Sequence, residues 1–213
     1  GPWTAPTDDA FDGRCYYAGR SAFDGKRRVL FGWVNTRDTW RDSASWTWGG
    51  TFVPHEIYQR PDGSLGCKIP DTVLAAFEAP VQLVSNKKYE TVDRCEEVPM
   101  VSIQNKFCKF EARVRFGEGT RSFGVRVNEN LETGESYDFR FLVGENRLVF
   151  DRTPIIPSDM NSKGLERPIQ LEAGKEYLMQ VIVDDDIATI YMDGVALNTR
   201  MYYTTGNTIS PRA

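Results

Sequence analysis

FEARVRF, residues 110–116, sorts its side chains by a period of two. Phe110, Ala112, Val114 and Phe116 fall on one side and Glu111, Arg113 and Arg115 on the other, the pattern of a strand with one face in a core and one in water. FGVRVN (123–128) and YDFRFLV (137–143) repeat it, with Phe123, Val125 and Val127, then Phe139, Phe141 and Val143, turned one way. GENRLVFDR (144–152) follows through a Gly-Glu-Asn turn and reads as the return strand of a hairpin. Farther on, YLMQVIVDDDIATIYMDGVALNTRMYY (177–203) reads as two strands about an acidic turn at Asp184, Asp185 and Asp186, then a turn at Asp193-Gly194 into a last strand. VIV and IATIYM are apolar on both faces, as expected of strands covered on each side in the middle of a sandwich sheet. The three aspartates lack the glycine and distal glutamate of a calcium loop and read as a solvated turn.

Upstream the character changes. DTVLAAFEAP (71–80) is the best helical candidate, but it is short and stops at a proline, so it reads as one turn or a connector. All five tryptophans, Trp3, Trp33, Trp40, Trp46 and Trp48, precede it. The expected organisation is therefore an aromatic β segment over residues 1–70, a connector over 71–80 and an antiparallel β-sandwich of the concanavalin or jelly-roll type over 81–213.

Composition narrows the function. A chain of 213 residues can bury a core, and a net charge of −4 argues against nucleic acid, which requires a basic surface. The run Lys26-Arg27-Arg28 reads as a solvated hairpin edge. No apolar run is long enough to span a membrane, and GPWTAPTDD at the start has no signal-peptide core, so the chain as given reads as soluble. Cys15, Cys67, Cys95 and Cys108 permit three full pairings, and none has CxxC spacing, so neither a zinc site nor another metal or cofactor is expected. A Cys95–Cys108 bridge and separate buried thiols both remain open. His55, the one histidine, has no clear Ser or Cys partner in sequence and reads as structural.

FDGRCYYAGRSAFDGKRRVLFGWV (11–34), followed after an insert by WTWGGTFVPHEIYQRPDGSLGCKIP (46–70), resembles the last propeller blade of glycoside hydrolase family 32, the invertases, inulinases and levanases. The matching elements are Asp12, Tyr16-Tyr17-Ala18, Arg27 to Trp33, Trp48-Gly49-Gly50, Pro54-His55-Glu56 and Leu65 to Pro70. The second half is similar to that family's C-terminal sandwich at Phe150-Asp151-Arg152 and over the closing hairpin from Val181 to Tyr203. The resemblance implies that Trp33, Phe31 and Trp48 pack between blades, whereas residues near the inner strand ends face a sugar pocket. It places Asp12 and Arg20 where plant members carry an Asp and a Lys that handle the sugar attached to fructose. With Tyr17 and an exposed Trp46, these are the expected carbohydrate contacts. His55 stands where the family usually has Arg, so whatever contact that Arg makes is in question here.

No catalytic residue is expected in this chain. Retaining hydrolysis needs two carboxyl groups about 5 Å apart. The family draws them from Asn-Asp-Pro-Asn-Gly and Glu-Cys motifs, with Arg-Asp-Pro stabilising the transition state. Here Arg37-Asp38 runs into Thr39, Arg41-Asp42 into Ser43, and Cys95-Glu96 has the reverse order. The expectation is the C-terminal portion of a fructan- or sucrose-type hydrolase. It would support a propeller supplied by a missing N-terminal segment or a companion chain, and contact a fructan-like or other glycan in a secreted or periplasmic setting. The alternative is a stand-alone, non-catalytic carbohydrate-binding or dimerisation module.

Overall fold

The computed structural model describes residues 8–38, 45–77, 80–82, 88, 101–102, 107–154, 165–201 and 208–212. Trp3, Trp40 and Cys95 lie outside them, as do the side chains of Trp46 and Trp48. The described chain is almost all β. The first sheet is an antiparallel meander of β1 (Tyr16–Phe23), β2 (Arg28–Arg37), β3 (Trp46–Gln59) and β4 (Leu65–Lys68), hydrogen-bonded in that order. The connector forms one helical turn, α1 (Asp71–Leu74), and Phe77 beyond it stacks on Phe107 with ring centroids 4.7 Å apart.

Two further sheets pack face to face. One has the order β13 (Val195–Arg200), β12 (Ile187–Met192), β11 (Glu176–Asp184), β6 (Phe107–Arg115). The other runs β10 (Glu166–Pro168), β9 (Arg147–Thr153), β8 (Ser136–Leu142), β7 (Ser122–Val127), β14 (Thr208–Arg212), β5 (Val101–Ser102). The alternation in FEARVRF is realised in β6: Phe110 and Phe116 are buried, Ala112 and Val114 pack against the core, and Glu111, Arg113 and Arg115 are exposed. Between the sheets, Phe139, Phe141, Leu148, Met179, Val181 and Ile190 are fully enclosed. Phe116–Phe123, Phe123–Phe141 and Tyr137–Phe150 stack at 5.4, 5.0 and 5.6 Å. Such ring pairs add roughly 0.5–1.5 kcal/mol each beyond the area they bury.

Three expectations change. The strand after Asp193-Gly194 is not the last, because β14 follows and inserts between β7 and β5 in the opposite sheet. TISPR, short and interrupted by Pro211, carries no alternation to announce it. The acidic turn is only partly solvated: Asp186 takes a hydrogen bond from Arg200 and is mostly enclosed. Finally, β12 is buried along its whole length, but what covers its outer face is the first sheet, not a second layer of sandwich.

That first sheet has two unlike faces. Leu30, Val34, Val53 and His55 turn toward the sandwich and are buried. Gly32 opens the space for this: a Cβ there would lie 2.2 Å from the Tyr16 ring, which crosses the sheet so that its hydroxyl donates to the Val53 carbonyl at 2.8 Å. The opposite face carries Phe31 (42% exposed) and Phe52 (71%).

Candidate functional site

The outward face of the meander is built by a β-bulge. Tyr17 pairs with Trp33 and Arg20 with Phe31, so Ala18 and Gly19 together stand opposite the single residue Gly32. Ala18 takes the left-handed conformation at φ 54°, which a non-glycine residue adopts only under constraint. In a regular strand residues 17 and 20 would point to opposite faces. The extra residue brings them to the same one, because directly paired residues share a face and Trp33 and Phe31 are two apart. Trp33 in turn pairs with Phe52, and Phe31 with Pro54. The result is an open, ring-rich surface with Tyr17, Trp33 and Phe52 in one row and Arg20, Phe31 and Pro54 in the next. Tyr17 meets Trp33 edge to face at 5.6 Å.

Of the four expected sugar contacts, the structure brings Tyr17 and Arg20 together on this surface. Trp46 pairs with Arg37 at the start of β3, and its side chain is outside the description. Asp12 is elsewhere. Its carboxylate has no exposed surface and accepts from the Gly13 N–H, the Asn198 N–H (2.7 Å), the Asn198 Nδ2 (2.6 Å) and His55 Nε2 (2.7 Å). Its oxygens are spent inside the protein, so it does not share the ring-rich face with Tyr17 and Arg20. The physical reason is local: the segment before β1 is not a strand but a strap threaded between the meander and the sandwich.

Around Asp12 lies a buried polar junction. His55, on β3, is 0% exposed and bridges Asp12 to the Tyr191 hydroxyl on β12, which sits 2.8 Å from Nδ1. The Tyr16 and Tyr191 rings flank the imidazole at 4.8 and 5.5 Å. Arg167 on β10 holds the strap by bonds to the Asp12 carbonyl (3.1 Å), the Ala10 carbonyl and the Asp8 carboxylate. Arg200 on β13 reaches the Val34 carbonyl (3.2 Å) and Thr51 Oγ1 (3.1 Å) on the meander. At the β12–β13 turn, Gly194 has φ 76°, and its carbonyl accepts from the Cys67 N–H at 2.9 Å. A side chain on Gly194 would collide with Arg60 and Tyr58.

Carboxylate, imidazole and hydroxyl in series have the order of a hydrolytic triad, but chemistry needs access, and here all three members are enclosed. The junction binds two parts of the chain to each other. His55 bonds a carboxylate and a phenol inside this junction. Asn198, Tyr191, Arg167 and Arg200 are the members sequence reasoning missed; the run of polar residues Asn198-Thr199-Arg200 continuing the apolar strand start VAL is the signal that was available.

Burial lifts the Cys15 and Cys67 thiols to about 12 and Cys108 to about 11. All three are free. Among the described residues no group of three His, Cys, Asp or Glu side chains is placed to hold a metal ion, and no helix is long and apolar enough to cross a membrane.

The fold of an antiparallel sandwich with a four-stranded meander is shared with solved proteins and matches a family model. Residues 79–211 match the model of the family described as "Glycosyl hydrolases family 32 C terminal", and the chain belongs to that family. It is similar in fold to exo-inulinase from Aspergillus awamori (TM-score 0.65, 13% identity, 95% of this chain and 41% of that one). It is also similar to sucrose-6-phosphate hydrolase from Lactobacillus gasseri (0.63, 17%, 95% and 41%) and to fructan 1-exohydrolase IIa from Cichorium intybus (0.62, 13%, 94% and 45%). The chain thus spans less than half the length of these solved proteins. No curated protein sequence matches it.

Proposed function

We propose that this chain is the C-terminal portion of a fructan- or sucrose-acting glycoside hydrolase, a terminal blade and sandwich that complete a catalytic propeller without supplying its catalytic carboxylates. The observation that carries this reading is the outward face of the meander. An isolated sheet gains nothing by exposing Phe31 and Phe52 to water, whereas a neighbouring blade would cover them. On this reading β1, the open-edged first strand of the meander, borders the substrate funnel. The bulge then presents Tyr17 for ring stacking and Arg20 for charge-assisted hydrogen bonds to sugar hydroxyls, with Trp46 as a third contact. Asp12 serves the site indirectly by holding the strap behind the blade. A secreted or periplasmic setting fits a polysaccharide-processing enzyme.

The test is hydrolysis. A homogeneous preparation of the chain alone is expected to leave sucrose, inulin and levan intact; turnover by it would overturn the proposal. Appended to a catalytic propeller, the chain is expected to support hydrolysis, and Tyr17→Ala or Arg20→Ala to raise KM more than they lower kcat.

A further inference from the structure

Among the described residues β1 is an edge strand with one hydrogen-bonded neighbour, and its two halves are out of phase. Arg20 to Phe23 pair with Phe31 to Arg28 in one continuous register. Carried on without a break, that register would set Tyr17 opposite Val34 and Tyr16 opposite Asn35. Val34 is buried toward the sandwich, so Tyr17 would turn inward and Tyr16 outward. The strand does the reverse. Tyr16 and Tyr17 stand one residue back, opposite Val34 and Trp33, and Ala18 takes its left-handed conformation to allow it. Closing such a bulge would relieve Ala18 and restore the ladder, so the N-terminal half must be held back.

One anchor is local: the Tyr16 hydroxyl donates to the Val53 carbonyl at 2.8 Å. The other comes from the sandwich. Arg167 on β10 is buried, and its guanidinium donates to three points along the strap, spaced two residues apart: the Asp8 carboxylate, the Ala10 carbonyl and the Asp12 carbonyl. Its Nε is buried without a partner, a cost that only these strap bonds offset. From Asp12 the chain turns at once, with the Tyr16 N–H donating to the Gly13 carbonyl at 2.9 Å, and Tyr17 follows. So short and closed a turn has little slack, and a clamp that ends at Asp12 reaches Tyr17.

We propose that Arg167 of the sandwich is a positioning residue for the sugar-contacting strand: by clamping the strap it holds Tyr16 and Tyr17 one step out of phase with the rest of β1, and so sets Tyr17 on the same face as Arg20. The sandwich thereby shapes a surface it does not touch. This rests on the reading of Tyr17 and Arg20 as sugar contacts. Without the clamp the bulge closes, Tyr17 leaves the outward face, and Ala18 takes its place opposite Trp33.

The Tyr17 and Trp33 rings, edge to face at 5.6 Å, report the register. In NMR of the full chain, Arg167→Met is expected to abolish the cross-peaks between these two rings while leaving those between Phe123 and Phe141 in the sandwich core intact, and Arg167→Lys to keep part of them. With the chain appended to a catalytic propeller, Arg167→Met should raise KM for sucrose roughly threefold to tenfold, as Tyr17→Ala does, with kcat little changed. Asp8→Ala withdraws the partly exposed partner of the clamp and should move both readouts the same way by less. A retained Tyr17–Trp33 contact in folded Arg167→Met would overturn the clamp, as would an unchanged KM there where Tyr17→Ala raises it. Should Arg167→Met fail to fold, the same outcomes in Asp8→Ala decide. If the ring contact is lost but KM moves in neither Arg167→Met nor Tyr17→Ala, the clamp stands and the sugar-contact reading is what fails.

Discussion

The meander turns one face to the sandwich and the other to solvent, and both are rich in large side chains. On the inner face, Val34 and Val53 join the sandwich core, and Asp12, His55 and Arg200 are bonded across the junction. On the outer face, Phe31 and Phe52 stay 42% and 71% exposed, and the Tyr17 ring meets Trp33 edge to face. Hydrophobicity alone therefore does not tell which surface is a core and which awaits a partner. What separates them is whether backbone and polar groups are also satisfied, because an apolar contact tolerates imperfect fit whereas a buried donor without an acceptor does not.

The largest effect should come from removing the junction's acceptor. Asp12→Ala leaves the His55 ring N–H, two groups of Asn198 and the Gly13 N–H without their acceptor, and is expected to cost about 3–5 kcal/mol or prevent folding, read as the shift in urea midpoint. Val34→Ala, on the same face but purely apolar, should cost less, about 1.5–3 kcal/mol in the same experiment. Tyr191→Phe keeps the ring and withdraws one hydrogen bond, for a loss of about 1–2 kcal/mol. Phe52→Ser on the outer face should stay within about 0.5 kcal/mol of the parent while reducing self-association in sedimentation, since the chain itself does not use that ring. If Phe52→Ser destabilises as much as Val34→Ala, the two faces are not different in kind.

The thiols sharpen the comparison without altering stability. Cys15 and Cys67 pack beside the junction and sit near 12, so at pH 8 almost none is thiolate. In a thiol-reagent titration of the folded chain they are expected to stay silent until denaturant opens the junction; prompt reaction at pH 8 would show a looser inner face than the hydrogen bonds imply.

Much of this was legible before any coordinates. FEARVRF, YDFRFLV and the closing hairpin announce their strands because a half-buried strand writes its two faces into alternate residues. The aromatic first segment and its likeness to a blade were legible too, since a run such as RVLFGWV needs only local pairing to form. The bulge was not: Ala18-Gly19 looks like any small pair until the register with β2 is known, and that register reverses which face Arg20 occupies. Nor was the place of Asp12, whose partners Asn198 and His55 lie 186 and 43 residues away in sequence.

The amino-acid sequence alone determined that this chain is almost all β in its described parts, where most of its strands run, and which family it resembles, because alternation and turn chemistry act between near neighbours. Tertiary structure alone decided that the meander and the sandwich are joined through a sealed Asp12–His55–Tyr191 bridge, that β14 crosses to the far sheet, and that Tyr17 and Arg20 face the same way. Those outcomes depend on which distant polar groups meet once water has been excluded, and a linear string does not record where water is excluded.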